Sequence, residues 1–344
     1  MTPHSPRLHN EVYPFIAPSK FRNSLENKIT LITGSVGTIG QALSLCFAVA
    51  GARLVLVYNR TEPPASFLSK CQELGASSVT SLKCDVSELE GCESLLNEVN
   101  RTIGKVDILV NNAGVDSLGP FHAHDPKNFL RAMSVNLHGP YFLSRLLLPD
   151  FMERRSGCII NIASRAGSSD MPFNGHYSIS KAAMIRMTGC MQAELSLAGF
   201  DDIHIYALHP GAIPSNMASA GKHNGPRISQ KGETADQRSE SAREALRDFP
   251  ELQQVMIGAL DHFKDSPYLT GMASVALATG IAKNILRGKY FDVEQDLEDV
   301  ISQASEFEAD PELYTLHTKF LGGLPNDGGT ELRPAEDPVS FPGF

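Results

Sequence analysis

Short runs of β-branched and aliphatic residues alternate with amphipathic helical stretches from Lys28 to about His209, and this rhythm limits the fold more than any other feature. The runs are Ile29–Thr33, Leu54–Tyr58, Val79–Lys83, Asp107–Asn111, Cys158–Ile162 and Ile203–Leu208, with a further candidate at Lys289–Val293. They are continuously apolar, as strands covered on both faces are. Between them lie the helical patterns Gln41–Ala50, Glu88–Thr102, Phe129–Arg154, Ser178–Leu197 and Gly271–Leu286. A repeated strand–helix–strand unit argues for parallel strands, because the crossover helix returns the chain to the same end of the sheet. The expectation is α/β: a doubly wound parallel sheet of about seven strands with helices on both faces.

Two segments break the rhythm. Residues 1–27, with Pro3, Pro6, Pro14 and Pro18, predict an extension draped over the surface. Residues 216–265 open with a polar, glycine-containing stretch and continue into a helical pattern, Ala242–Phe263. Long interruptions of this kind are commonly functional or disordered. This one follows a strand end where ligands of such sheets bind, so a substrate lid is expected. From Asp296 the chain reads as an acidic amphipathic helix followed by a Gly/Pro-rich end.

Charge and cysteine usage narrow the function. A net charge of −9 without any Lys/Arg run argues against a nucleic-acid partner. The six cysteines are scattered with no CxxC pair, which fits reduced core thiols and no metal site. Gly271–Ala282, the longest weakly polar stretch, is too short for a bilayer, where about 20 residues are needed. The first residues have no apolar signal-peptide region, so a cytoplasmic protein with no membrane partner is expected.

Between the first strand and the first helix lies Thr33-Gly34-Ser35-Val36-Gly37-Thr38-Ile39-Gly40. Glycines at that junction let the backbone turn tightly and approach a pyrophosphate, whose charge favours a helix N-terminus. Taken alone, the motif also fits an ordinary tight turn. An acid at the end of the second strand would suit the ribose of NAD(H), and an Arg the 2′-phosphate of NADP(H). Here that strand ends Tyr58-Asn59-Arg60, with no acid before Glu62. Arg60, with Ser35 as a further candidate, therefore points to NADP(H) over NAD(H).

Tyr177 and Lys181 are spaced i, i+4, which puts both on one helix face. A free phenol, with a pKa near 10, is a sluggish acid–base at neutral pH. An adjacent ammonium is expected to favour the phenolate and lower that pKa. Ser164 lies upstream, just past the strand Cys158–Ile162, where a hydroxyl can orient a carbonyl.

Taken together and in order, these pieces resemble the short-chain dehydrogenase/reductase family. The matching segments are the glycine turn Thr33–Gly40, Asp85-Val86, Asn111-Asn112-Ala113-Gly114, Asn136 within VNLHGP, Ser164, Tyr177/Lys181, and Pro210 to Ser215. The segments YPFIAPSK and LRGKYFDVEQDLEDV further resemble a fungal branch of NADP-dependent reductases, often of specialised metabolism. The resemblance implies a Rossmann-type catalytic domain over residues 28–295, including the lid, and a helical tail over 296–344. It implies that Tyr177 is the proton donor or acceptor, and that Lys181 holds the nicotinamide ribose and tunes Tyr177. Ser164 would position the carbonyl and Asn136 would hold a water linking Lys181 to solvent. Gly34, Ser35, Gly37, Thr38, Ile39, Gly40, Asn59 and Arg60 would contact the phosphates and adenosine ribose. Asp85 and Val86 would flank the adenine, while Asn112, Ala113 and Gly114 would line the cleft. Pro210, Gly211, Ile213 and Ser215 would face the nicotinamide.

Two departures stand out. The glycine spacing is that of the family's larger, extended members, with Thr38 where the shorter members carry a middle glycine, and Ser215 replaces a usual Thr. Asn136 reads as a helix-interior Asn, which needs a side-chain partner or a kink. His176 and His209 read as structural or substrate-wall residues, and no Gly-x-Ser-x-Gly elbow surrounds Ser164, which argues against a hydrolase. The expected activity is interconversion of a ketone and a secondary alcohol on a small organic substrate, specialised metabolites included. A redox-neutral isomerase, cyclase or dehydratase using Tyr177 as acid–base is the alternative, since fold alone does not separate them. The resemblance also implies a homodimer or homotetramer, built on Phe129–Arg154 and Ser178–Leu197.

Overall fold

The computed structural model describes residues 4–116, 119–214 and 263–323. Ser215 and nearly all of the 216–265 segment, its helical pattern Ala242–Phe263 included apart from Phe263, lie outside the described residues. The strands are β1 (Ile29–Thr33), β2 (Arg53–Tyr58), β3 (Ser78–Lys83), β4 (Ile108–Asn111), β5 (Gly157–Ile162), β6 (Ile203–His209) and β7 (Tyr290–Asp292). They form one sheet in the order β3-β2-β1-β4-β5-β6-β7, and every neighbouring pair is parallel. Strand order reverses between β1 and β4, the switch point at which doubly wound sheets open a crevice at their carboxyl ends.

The main helices are α1 (Thr38–Val49), α2 (Ala65–Leu74), α3 (Leu89–Thr102), α4 (Pro126–Met133), α5 (Gly139–Arg154), α6 (Gly175–Leu197), α7 (Pro267–Ala278) and α8 (Leu297–Ser302). Alternate residues of each central strand serve opposite faces. Ile32 packs with Phe47 of α1 and Met272 of α7, whereas Leu31 packs with Val99 of α3 and with Leu143 and Phe151 of α5. Burial on both faces explains why these strands read as unbroken apolar runs. β3, at the edge, is only half-buried and mixes Ser, Thr and Lys into its run.

Three features differ from the sequence reading. The stretch 129–154 is helical throughout, as expected, but a π-helical turn, Ser134–His138, joins α4 to α5. The segment before β1 is more than a surface cover, since Tyr13, Ile16, Phe21 and Leu25 are buried in the core shared by α1 and α7. The segment after Asp296 forms two short helices, α8 and Ala304–Ala309, rather than one. Five of the six cysteines are buried and all six are free thiols.

Candidate active site

The site lies along the carboxyl ends of β1, β4, β5 and β6. After β1 the chain turns at Gly34, whose φ of +63° is strained for a residue with a side chain and where a Cβ would lie 2.9 Å from Ala113 Cα. At Gly40 a Cβ would lie 2.2 Å from the Gly34 carbonyl oxygen. Packing within the protein therefore enforces both glycines. Gly37 is different: it is exposed, and a Cβ there would meet Gly34 O only at an ordinary 3.5 Å. Gly37 is also the N-cap of α1 and caps it with no side chain, so the first N–H groups, from Thr38 and Ile39 onward, face an open cradle suited to an anion.

The cradle is held from β4. Thr33 Oγ1 accepts from the N–H groups of Asn112 (2.9 Å) and Ala113 (3.0 Å), and Asn112 Nδ2 donates to the carbonyls of Thr33 (2.9 Å) and Gly34 (3.1 Å). On the far side Asn59 Nδ2 donates to Asp85 (3.0 Å), which also accepts from Ser87. Burial alone would raise the Asp85 pKa, but the hydrogen bonds from Ser87 and Asn59 hold it below its ordinary value. Ser35 is fully buried with its hydroxyl donated to the Val57 carbonyl at 3.1 Å, whereas Arg60 is exposed. Of the two residues proposed for a 2′-phosphate, Arg60 alone faces solvent.

Asn136 sits in the π-helical turn, a geometry that recurs at functional sites. Its Oδ1 accepts from Val115 N–H at 2.8 Å, and its Nδ2 donates to Val115 O at 2.9 Å and Ser180 Oγ at 3.0 Å. The side-chain amide thus pairs with a backbone residue as a neighbouring strand would, which supplies the partner that a helix-interior Asn needs. Ser180 in turn donates to Tyr177 O at 2.7 Å. A Cβ on Gly114 would lie 3.5 Å from Asn136 Oδ1 and 3.9 Å from Lys181 Nζ, so the cleft-lining loop abuts both side chains.

Tyr177 and Lys181 share the first turns of α6, with the Lys181 ammonium 5.5 Å from the Tyr177 ring centre. Lys181 is buried and donates to the Ile162 carbonyl at 2.6 Å. Burial lowers its pKa to about 8, against the pull of the Asp116 carboxylate. Ser164, two residues past β5, accepts from Ala166 N–H at 3.2 Å, and its hydroxyl favours ionisation of the Tyr177 phenol. Burial, and then Asp116, push the Tyr177 phenol well above its ordinary pKa, and the Ser164 hydroxyl only moderates this. The expected lowering by Lys181 is therefore not what the site displays. Lys181 is buried and Tyr177 half-buried, and partial desolvation opposes the ionised phenol more strongly than Ser164 favours it.

Asp116 is the site residue that sequence reasoning missed. It directly follows Asn112-Ala113-Gly114-Val115, and that position next to a cleft motif was the available signal. His176 Nε2 lies 3.7 Å from its Oδ1, and the His176 ring meets that of His124 in a tilted contact, centroids 3.8 Å apart. Beyond β6, Pro210 O accepts from Thr270 Oγ1 at 2.5 Å, Gly211 has a φ of +85° and Ile213 is buried.

The family profile described as short chain dehydrogenase matches residues 28–224. The chain is 28% identical over 298 residues to a short chain dehydrogenase of Pseudocercospora fijiensis, covering 86% of this chain and 89% of that one. It is 29% identical over 220 residues to the short chain dehydrogenase pigC of Monascus ruber, covering 61% of this chain and 70% of that one. The crystal structure of a short-chain type dehydrogenase/reductase from Mycobacterium marinum superposes with a TM-score of 0.62 at 20% identity, covering 81% of this chain and 98% of that one, which is a likeness of fold. With a profile match running from β1 past β6, the chain belongs to the short-chain dehydrogenase/reductase family and is an oxidoreductase of the nicotinamide-dependent kind.

Proposed function

We propose that this protein is an NADP(H)-dependent enzyme that interconverts a ketone and a secondary alcohol on a small organic substrate, specialised metabolites included. The observation that carries the reading is the grouping of the half-buried Tyr177 phenol with the Ser164 hydroxyl, which favours its ionised form, and with the Lys181 ammonium 5.5 Å from its ring centre. When bound, the nicotinamide supplies or takes up the hydride.

The chain's own residues do the rest. Tyr177 is the proton donor to a carbonyl oxygen in the reducing direction, and a positive charge nearby eases release of that proton. Ser164 stands beside that hydroxyl and orients the same oxygen. Lys181, anchored on Ile162 O, holds a positive charge near the phenolate that proton donation leaves behind. Asn136 fixes the Val115 backbone and, through Ser180, the first turn of α6. The open cradle above Gly37, the N–H groups of Thr38 and Ile39, and the Pro210–Ile213 turn fit an extended dinucleotide, with Ser215 assigned by the resemblance.

Preference for the 2′-phosphorylated cofactor rests on the exposed Arg60 at the end of β2 and on the absence of an acid there. Specialised metabolism is inferred from fungal relatives such as pigC. Tyr141 and Met152 are exposed apolar residues of α5, consistent with assembly as a homodimer or homotetramer through α5 and α6. Among the described residues no helix is long and apolar enough to cross a membrane. The test is absorbance of the reduced cofactor at about 340 nm against a panel of ketones, with NADPH and NADH compared. Consumption of neither cofactor with any ketone, together with isomerisation or dehydration of the same compounds, would replace this reading with the redox-neutral one.

A further inference from the structure

His209 ends β6, is 6% exposed, and lies between two turns of the active site. On one side, its Nδ1 accepts a hydrogen bond from the N–H of Arg165, the residue after Ser164, at 3.1 Å. On the other side it is followed directly by Pro210 and Gly211. Burial lowers its pKa to about 4, so the ring is neutral and the Nδ1 lone pair is available at physiological pH. The ring proton therefore sits on Nε2, which faces Glu294 Oε1 at 3.9 Å.

The surroundings hold this arrangement in place. The Arg165 guanidinium lies 2.7 Å from Asp292 and 3.0 Å from Glu294, both at the exit of β7. Beyond His209, Asp265 accepts from Ala212 N–H at 2.5 Å and from Asn10 Nδ2 at 2.5 Å. Ligand atoms of His209, Asp292 and Glu294 come within 4.8 Å of one another, close enough for a metal ion. The Arg165 guanidinium already supplies the cation those carboxylates need, so the cluster is an ion-pair network, not a metal centre.

We propose that His209 is a positioning residue: through Nδ1 it fixes the Ser164–Arg165 turn relative to the Pro210–Gly211 turn. The hydroxyl that orients the carbonyl and the backbone that faces the nicotinamide are then set by one side chain. Ser164 Oγ itself accepts from Ala166 N–H, so any drift of the 165–167 turn moves the hydroxyl with it. The catalytic consequence rests on the oxidoreductase reading above; the link between the two turns does not.

Three substitutions separate the link from mere packing. His209→Asn keeps an acceptor near the Nδ1 position, His209→Gln moves it one bond further out, and His209→Leu fills the space without one. Amide hydrogen exchange of the peptide containing Arg165, in the full-length protein, reads the link without turnover. Exchange there should be slow in the unaltered protein and in His209→Asn, and about tenfold faster in the Leu and Gln variants. Turnover should follow the same order, with kcat falling roughly 10–100-fold for Leu and Gln while the ketone KM changes less. Unchanged exchange in His209→Leu overturns the link, and so does Gln performing as well as Asn. Exchange that follows the expected order while kcat does not overturns the positioning role. If the unaltered protein turns over no ketone, the failure belongs to the oxidoreductase reading and the exchange still decides the link.

Discussion

Replacing Lys181 by Met should make the cofactor-free protein more stable at pH 7 while abolishing most of its activity. In the fold the Lys181 pKa falls from its ordinary 10.5 to about 8, because burial disfavours the ammonium. At about 1.36 kcal/mol per pH unit, holding that charge costs the native state about 3 kcal/mol at any pH below both values. Met removes this cost but leaves the Ile162 carbonyl without its 2.6 Å donor, a loss of about 1–2 kcal/mol. The net expectation is a gain of about 1–2 kcal/mol at pH 7. The sign of the pH dependence follows from proton counting. Between about pH 8 and 10.5 the unfolded wild-type chain binds more protons at Lys181 than the folded one, so wild-type stability from this residue rises with pH. By pH 10 roughly 1 kcal/mol of the cost remains, and the advantage of the Met variant should vanish or reverse. Urea unfolding of both proteins at pH 7 and pH 10 measures this directly, and groups other than Lys181 cancel in the difference. A Met variant less stable than wild type at pH 7, or a gap that widens in its favour with rising pH, would refute the reasoning.

Tyr177→Phe should lower kcat by about 10²–10⁴-fold with cofactor affinity nearly unchanged, measured by absorbance of the reduced cofactor and by its binding fluorescence, because it deletes a proton and little contact area. Arg60→Ala should raise the KM for NADPH roughly 10–100-fold, the loss of one charge-assisted contact, and leave that for NADH almost alone. Asn136→Ala leaves both polar groups of Val115 without their partner and should lower stability by about 2–4 kcal/mol in urea unfolding, with a loss of turnover beyond what destabilisation explains. Light scattering at micromolar protein should give a multiple of 37.3 kDa, and a value equal to the chain mass would reject assembly.

Local signals made the fold readable and long-range ones did not. Strands β1, β4, β5 and β6 are buried along their whole length, so their sequences are dominated by aliphatic and β-branched residues on both faces. The pairing of Tyr177 with Lys181 is a spacing within one helix, and Ser164 is the second residue past a strand, so both were legible. The π-helical turn between α4 and α5 was not, since the partner of its Asn136 side chain is Val115, 21 residues away. The role of His209 was hidden for the same reason: its partner Arg165 is 44 residues upstream, and the carboxylates that hold Arg165 are the last residue of β7 and one two residues beyond it. Burial of the Ser35 hydroxyl against Val57 and the raised pKa of Tyr177 are properties of packing, and residue type alone does not encode them.

The segment before β1 also dictates when this enzyme can become complete during synthesis. Arg7 pairs with Asp299, His9 with Asp296 and Asn10 with Asp265, across separations of 292, 287 and 255 residues. Leu8 bridges Gln295 in antiparallel fashion, and the Leu297 amide donates to the Tyr13 hydroxyl. At about 5–20 residues per second, a ribosome delivers those partners roughly a quarter of a minute to a minute after the residues that need them. Until then Tyr13, Ile16, Phe21 and Leu25 have no α7 to pack against, and the clamp on Ala212 through Asp265 does not exist. Strands β1 to β4 emerge early, but α1 and Ile32 share their core with Met272 of α7 and wait for residues 267–278. A nascent chain that stalls before residue 267 therefore leaves the apolar faces of α1 and of the N-terminal segment uncovered.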